Sequence, residues 1–185
     1  MLRSIIFLGC VAMILSGLGG AAVLQAEDWP PDLAGTLVEQ EEGYVVPSFS
    51  SGEANWLVDR LRAVSHAASF SASANQPPYI MLAGYYDTDV TYADGGTFKL
   101  IAYVMDPDGP QDVARVELYY NATPTGVLMA DDGNNGDFGA GDQVFGLLFE
   151  IGPNVLPAGS YTLEIVATDQ SGNVSDMWPY LTVHP

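Results

Sequence analysis

The chain has 185 residues, of which 48% are hydrophobic and 15% are charged. This balance supplies enough apolar side chains for a buried core and excludes a chain that is mainly disordered. The 23 acidic and 5 basic residues give a net charge of -18 at pH 7, which excludes nucleic acid as a partner and favours cations or neutral molecules.

The first 26 residues have the pattern of an export signal. A short start containing Arg3 precedes an apolar stretch over 5–18, and small residues follow at 19–22 and at Ala26. We therefore expect cleavage after Ala22 or Ala26 and a secreted, periplasmic or cell-surface protein. The alternative is an uncleaved anchor, because residues 4–24 are just long enough to span a bilayer. That segment would then be the only contact with a membrane.

Cysteine occurs once, at Cys10, inside the predicted signal. A cleaved product would contain no cysteine. Disulfides, thiolate zinc sites and cysteine nucleophiles are then all excluded, so that stability must come from packing or from a bound ion.

Residues 27–76 are predicted to be a linker that carries one short helix. The stretch includes Pro30-Pro31 and an acidic run over 39–42. Ser50 and Glu53 fit a capping box. An apolar stripe follows at helical spacing, formed by Leu57, Leu61, Val64 and Ala68. We expect a helix over about 52–68 that docks on the folded domain, because a short amphipathic helix rarely persists unpacked in water. Arg60 and Arg62 are interpreted as a solvated face.

Residues 77–185 alternate apolar and polar side chains and have turn residues at regular intervals, which predicts an all-β fold, an antiparallel β-sandwich of about seven strands. The predicted strands are A (79–86), B (97–105), C (114–120), C′ (126–130), E (143–151), F (160–168) and G (178–183). The predicted core contains Leu100, Val104, Val116, Leu118, Tyr161, Leu163 and Ile165. In strand C, Tyr120 should face inward and Glu117 outward.

Several segments resemble immunoglobulin-like and fibronectin type III-like sandwiches. Residues 156–161 followed by 162–169 resemble the corner before strand F, where Tyr161 would be the corner tyrosine that bonds back to the corner. The acidic segment 131–142 resembles a pattern of bacterial extracellular sandwich domains, although Gln143 stands where that pattern has glycine. The resemblance implies an immunoglobulin-like fold and an extracellular module attached to surface proteins.

Three acidic loops are predicted to meet at one pole of the sandwich. Alternating strand directions bring the B–C, C′–E and F–G loops to the same end. The predicted metal ligands in these loops are Asp106, Asp108, Asp131, Asp132, Asp137, Asp142 and Asp169. The B–C loop also contains Asp112. Calcium takes six to eight oxygen ligands, so it is the predicted ion. The alternative is that these loops are plain Asp-Gly turns that hold only water.

The sequence favours a protein without catalytic activity. Histidine occurs only at His66 and His184, and the chain contains no Gly-x-Ser-x-Gly elbow and no Asp-Thr/Ser-Gly motif. We expect an interaction or structural module whose partner is an extracellular or periplasmic protein or a glycan.

The alternative function is a carbohydrate-binding module. Aromatic rings that could stack on sugars are Tyr85, Tyr86, Tyr92, Tyr119, Trp178 and Tyr180. Such a module needs several of these rings exposed in a row on one sheet face.

Overall fold

The computed structural model describes residues 38–39, 44–67 and 75–185. The predicted export signal lies outside these residues. The elements in chain order are β1 (Val38–Glu39), β2 (Tyr44–Phe49), α1 (Ser51–Ala67), β3 (Tyr79–Thr91), β4 (Gly95–Met105), a 3-10 turn (Pro110–Asp112), β5 (Val113–Tyr120), β6 (Thr123–Met129), β7 (Val144–Ile151), β8 (Gly159–Thr162), β9 (Glu164–Asp169), β10 (Val174–Met177) and β11 (Tyr180–Val183). Across the described ranges, no helix is both long and apolar enough to cross a membrane.

The strands form two main sheets that pack face to face. One sheet has the order β1-β2-β3-β4-β7 and the other has the order β10-β9-β5-β6, while β11 and β8 form a small separate pair. Buried side chains from both main sheets make one core. The predicted all-β sandwich is therefore confirmed, and its pairings are antiparallel except for β2 with β3.

Most of the predicted core is buried between the two sheets. Five members are at most 3% exposed, namely Leu100, Val104, Val116, Leu118 and Ile165. Tyr161 and Leu163 are only partly buried and pack against the core. The reason is that predicted strand F divides at Leu163. The residues before Leu163 form β8, which pairs with β11, and the residues after it form β9 of the four-stranded sheet. Predicted strand G (178–183) forms only over its last part, as β11, whereas β10 lies in the segment between predicted strands F and G that was expected to be a loop.

The predicted register of strand C is wrong at two positions. Glu117 is only 6% exposed, whereas Tyr120 is 59% exposed. The pairing of β5 with β6 shifts between Glu117 and Tyr119, so the alternation of faces does not continue to the end of the strand. Burial of Glu117 is tolerated because its carboxylate accepts a hydrogen bond from the Gly126 N–H at 2.9 Å.

The predicted helix forms and its capping box is confirmed. The Ser50 N–H donates to Glu53 Oε2 at 2.7 Å, and the Glu53 N–H donates to Ser50 Oγ at 3.4 Å. Of the predicted apolar stripe, Leu61 is buried, as is its neighbour Val58. The other stripe positions (Leu57, Val64 and Ala68) lie outside the described side chains.

Part of the stretch predicted as a linker belongs to the sheet. Strand β2 pairs in parallel with β3, and α1 forms the crossover between them. Met81, Ile101 and Tyr103 are at most 1% exposed, yet they do not belong to the core between the sheets. Helix α1 packs on β3, and the Arg62 guanidinium lies 6.0 Å from the Tyr103 ring centre. The five-stranded sheet is thus buried on both faces around β3 and β4.

Candidate metal centre

The structure divides the predicted metal ligands into two groups. Within each group, one carboxylate oxygen of every member lies within 4.8 Å of the others. The Asp106 group contains Asp106, Asp108 and Asp112, and the Asp131 group contains Asp131, Asp137 and Asp142. Asp132 and Asp169 belong to neither group, and Asp112 was not among the predicted ligands.

The Asp106 group is built by the short loop between β4 and β5. The Asp106 carbonyl accepts from the Gly109 N–H at 3.1 Å, and Asp106 Oδ1 accepts from the Asp108 N–H at 2.8 Å. Gly109 adopts a φ of 118°, and Pro110 then opens a single 3-10 turn. This turn brings Asp112 back to the other two carboxylates. The Asp-Pro-Asp-Gly-Pro spacing is therefore the sequence signal that could have identified Asp112.

The Asp106 group has buried carboxylate oxygens that lack a donor. Asp106 is 5% exposed, and its Oδ2 accepts no hydrogen bond within the described part of the chain; the same holds for Asp112 Oδ2. Desolvation, followed by the charges of the neighbouring aspartates, raises the pKa of both Asp106 and Asp112. Such a group is costly to bury in its ionised form unless a positive partner is present.

Asp169 lies beside the Asp106 group but has its own partners. Its Oδ1 accepts from the N–H groups of Ser171 and Asn173, both at 2.8 Å. Its Oδ2 accepts from the Asn173 amide at 2.7 Å and from the Asn75 amide at 2.6 Å. Although desolvation opposes ionisation, these bonds together hold the pKa of Asp169 below its ordinary value. Asp169 therefore fixes the loop between β9 and β10, and the Gln170 N–H joins that loop to the Asp112 carbonyl at 2.8 Å.

The backbone of the β6–β7 loop satisfies the carboxylates of the Asp131 group. Asp131 accepts from the N–H groups of Gly141, Asp142 and Gln143 at 2.7–3.0 Å. Asp137 accepts from Gly133 at 2.5 Å and Gly139 at 3.2 Å, and Asp142 accepts from Val144 at 2.9 Å. Asp132 only closes a local turn onto Asn134. Gln143, in the place expected for glycine, adopts the left-handed φ of 69° that glycine favours.

Helix α1 also supplies a cation to the Asp131 group. The Arg62 guanidinium donates to the Asp142 carbonyl at 2.8 Å and lies 3.6 Å from Asp142 Oδ2. The interpretation of Arg62 as part of a solvated face is therefore wrong, since its side chain is only 29% exposed. The Asp131 group thus has both backbone donors and a positive side chain.

Both groups have dimensions that suit calcium, but their chemistry differs. Calcium binds oxygen at 2.3–2.6 Å, so two ligands of one ion lie at most about 5 Å apart. Unpartnered buried oxygens occur only in the Asp106 group among the described aspartates. That group is the stronger candidate for a cation site.

Among the described side chains considered for sugar stacking, two are buried and two are exposed. Tyr85 and Tyr86 are buried at 0% and 5% exposure, whereas Tyr92 and Trp178 are 40% and 42% exposed. Tyr119 is half-buried, and the side chain of Tyr180 lies outside the described ones.

Comparison of this chain with protein-family models, with curated proteins and with solved structures found no match.

Proposed function

We propose that this chain is an exported, non-catalytic immunoglobulin-like module that binds one calcium ion at the Asp106 group. The observation that carries the proposal is the buried Asp106 Oδ2, which accepts no hydrogen bond from the described residues. A buried carboxylate needs a charged or donating partner, and two further carboxylates stand close enough to share a cation with it.

Two observations support the immunoglobulin-like part of the proposal. The facing strand sets β3-β4-β7 and β10-β9-β5-β6 correspond to the A-B-E and G-F-C-C′ sheets of such domains. In addition, the Tyr161 hydroxyl donates to the Pro157 carbonyl at 2.8 Å, as a corner tyrosine does.

The proposed ion has a structural role. Asp106 directly follows β4 in one sheet, and Asp112 directly precedes β5 in the other. An ion shared by these residues ties the two sheets together at one pole. The stabilised sandwich then serves as an interaction module for an extracellular or periplasmic partner.

Thermal unfolding of the purified protein in chelator and in millimolar calcium tests this proposal. If calcium binds only the folded state, a free calcium concentration of about 100 times the Kd adds about 2.7 kcal/mol to the free energy of unfolding. The Asp106→Asn variant should lose most of this gain. In chelator the same variant should be neutral or more stable, because it removes a buried charge and supplies amide donors to Asp108 and Asp112.

Two control variants show which carboxylates hold the ion. Asp142→Asn changes the Asp131 group, and Asp94→Asn changes an exposed turn between β3 and β4; both should keep the calcium gain. Identical melting curves of the unmodified protein in calcium and in chelator would contradict the proposal. Loss of the gain in Asp142→Asn but not in Asp106→Asn would place the ion in the other group.

A further inference from the structure

We infer that Asn75 and Gln76 are positioning residues of the proposed calcium site, so that calcium binding and docking of the N-terminal arm strengthen each other. The N-terminal arm is defined here as β2, α1 and residues 75–76. This inference rests on the proposed calcium site and adds its regulation.

Two hydrogen bonds join residues 75–76 to the acidic pole. The Gln76 N–H donates to Asp108 Oδ2 at 2.8 Å, and the Asn75 amide donates to Asp169 Oδ2 at 2.6 Å. Asp108 belongs to the Asp106 group, and Asp169 fixes the neighbouring loop. Residues 75–76, which lie just before β3, are therefore fastened to both loops that frame the site.

Charge repulsion links these bonds to the ion. Without a cation, the carboxylates of Asp106, Asp108 and Asp112 repel one another, and Asp108 is the exposed member that is able to move away. Movement of Asp108 would break its bond to Gln76. With a cation bound, Asp108 is held in place, so that its carboxylate keeps the hydrogen bond from the Gln76 N–H.

The two interactions are compatible at the same carboxylate. A carboxylate has about four lone-pair sites, so that one N–H donor leaves room for a cation. Binding of the ion and docking of the arm therefore cooperate rather than compete. Thermodynamic linkage then requires that each raises the affinity of the other by the same factor.

Three described side chains of α1 dock the arm away from the proposed site. Val58 and Leu61 are buried against the outer face of the five-stranded sheet, and Arg62 binds Asp142. These contacts keep the arm docked in chelator, and calcium adds to them through residues 75–76.

A matched pair of variants isolates the Gln76 N–H. Gln76→Pro removes this donor, whereas Gln76→Ala keeps it and changes only the side chain. By calorimetric titration with calcium chloride, the Kd of Gln76→Pro should rise about 5-fold or more, and that of Gln76→Ala should stay within about twofold. Asn75→Ala provides an independent variant if Gln76→Pro fails to fold, and it should also weaken calcium binding.

Hydrogen exchange measures the reverse effect in the unmodified protein. Calcium should slow exchange of the α1 amides, and this slowing should be smaller in Gln76→Pro than in Gln76→Ala. An unmodified protein that binds calcium, with unchanged Kd values in Gln76→Pro and Asn75→Ala, would overturn this inference and leave the proposed function intact. Equal weakening in both Gln76 variants would also overturn it. Failure of the unmodified protein to bind calcium would overturn the proposed function itself.

Discussion

At the scale of single residues, backbone donors distinguish one acidic loop of this protein from another. Asp131 and Asp106 both follow strands and both begin turn-forming segments, but Asp131 accepts three backbone N–H groups and Asp106 Oδ2 accepts none. The same residue type therefore organises a loop in one place and leaves a buried carboxylate oxygen without a donor in the other. The number of backbone N–H groups near each carboxylate accounts for this difference.

Asp131 is expected to stabilise the fold with or without calcium. Asp131→Ala leaves the N–H groups of Gly141, Asp142 and Gln143 without their acceptor, which should cost about 1–3 kcal/mol. Asp132→Ala removes an exposed side chain that caps only Asn134, so its cost should be smaller. Urea unfolding in calcium and in chelator measures both variants. A loss for Asp131→Ala that occurs only in calcium would instead identify Asp131 as a ligand.

Gly146 is expected to be essential for the close approach of the β6–β7 loop to β7. A Cβ at this position would lie 2.2 Å from the Asp137 backbone nitrogen, so Gly146→Ala should destabilise the protein by about 1–3 kcal/mol. Gly152→Ala is the control, since its Cβ would make only an ordinary contact of 3.6 Å with Val155. The midpoints of urea unfolding should separate the two variants. Equal midpoints would show that the loop shifts without cost.

At the scale of elements, the stability of α1 should depend on pH because of the cap in its first turn. Hydrogen bonds from Ser50 hold the pKa of Glu53 below its ordinary value of 4.5. A carboxylate with a lowered pKa in the folded state contributes stability above its unfolded pKa and loses it as the pH falls through the folded pKa. The capping contribution should therefore be complete at pH 7 and should disappear on the acid side of 4.5.

Two variants test this capping contribution. Ser50→Ala should cost about 1 kcal/mol at pH 7. Glu53→Gln keeps the shape of the side chain but does not titrate, so the difference in stability between it and the unmodified protein should shrink as the pH falls below 4.5. A difference that stays constant from pH 7 into the acid range would contradict this role of Glu53.

At the scale of the whole molecule, α1 and β2 complete the sandwich. Met81, Ile101 and Tyr103 lie on the outer face of the five-stranded sheet and are nevertheless buried. A fragment of residues 77–185 should therefore expose this face, melt at a lower temperature than residues 27–185 and bind a hydrophobic dye. Equal melting temperatures without dye binding would show that the sandwich needs nothing from the arm.

The features that the sequence alone determined are those with a local physical cause. Alternation of apolar residues predicted most strands, because side chains of a strand point to opposite faces in turn. The capping box of Ser50 and Glu53 and the corner bond of Tyr161 to Pro157 each span only a few residues. Their partners are therefore readable from short spacings in the sequence.

Only the tertiary structure decided the features that depend on distant partners. The division of the acidic residues into the Asp106 and Asp131 groups depends on how the β4–β5 and β6–β7 loops fold. Arg62 and Gln76 reach these groups from positions far along the chain. The burial of Glu117 likewise depends on Gly126 of the next strand. The continuous apolar run over 100–105 was the one sequence signal that both faces of β4 are covered. Only the structure showed that α1 covers the outer face, because the parallel pairing of β2 with β3 depends on the crossover helix and not on the strand pattern.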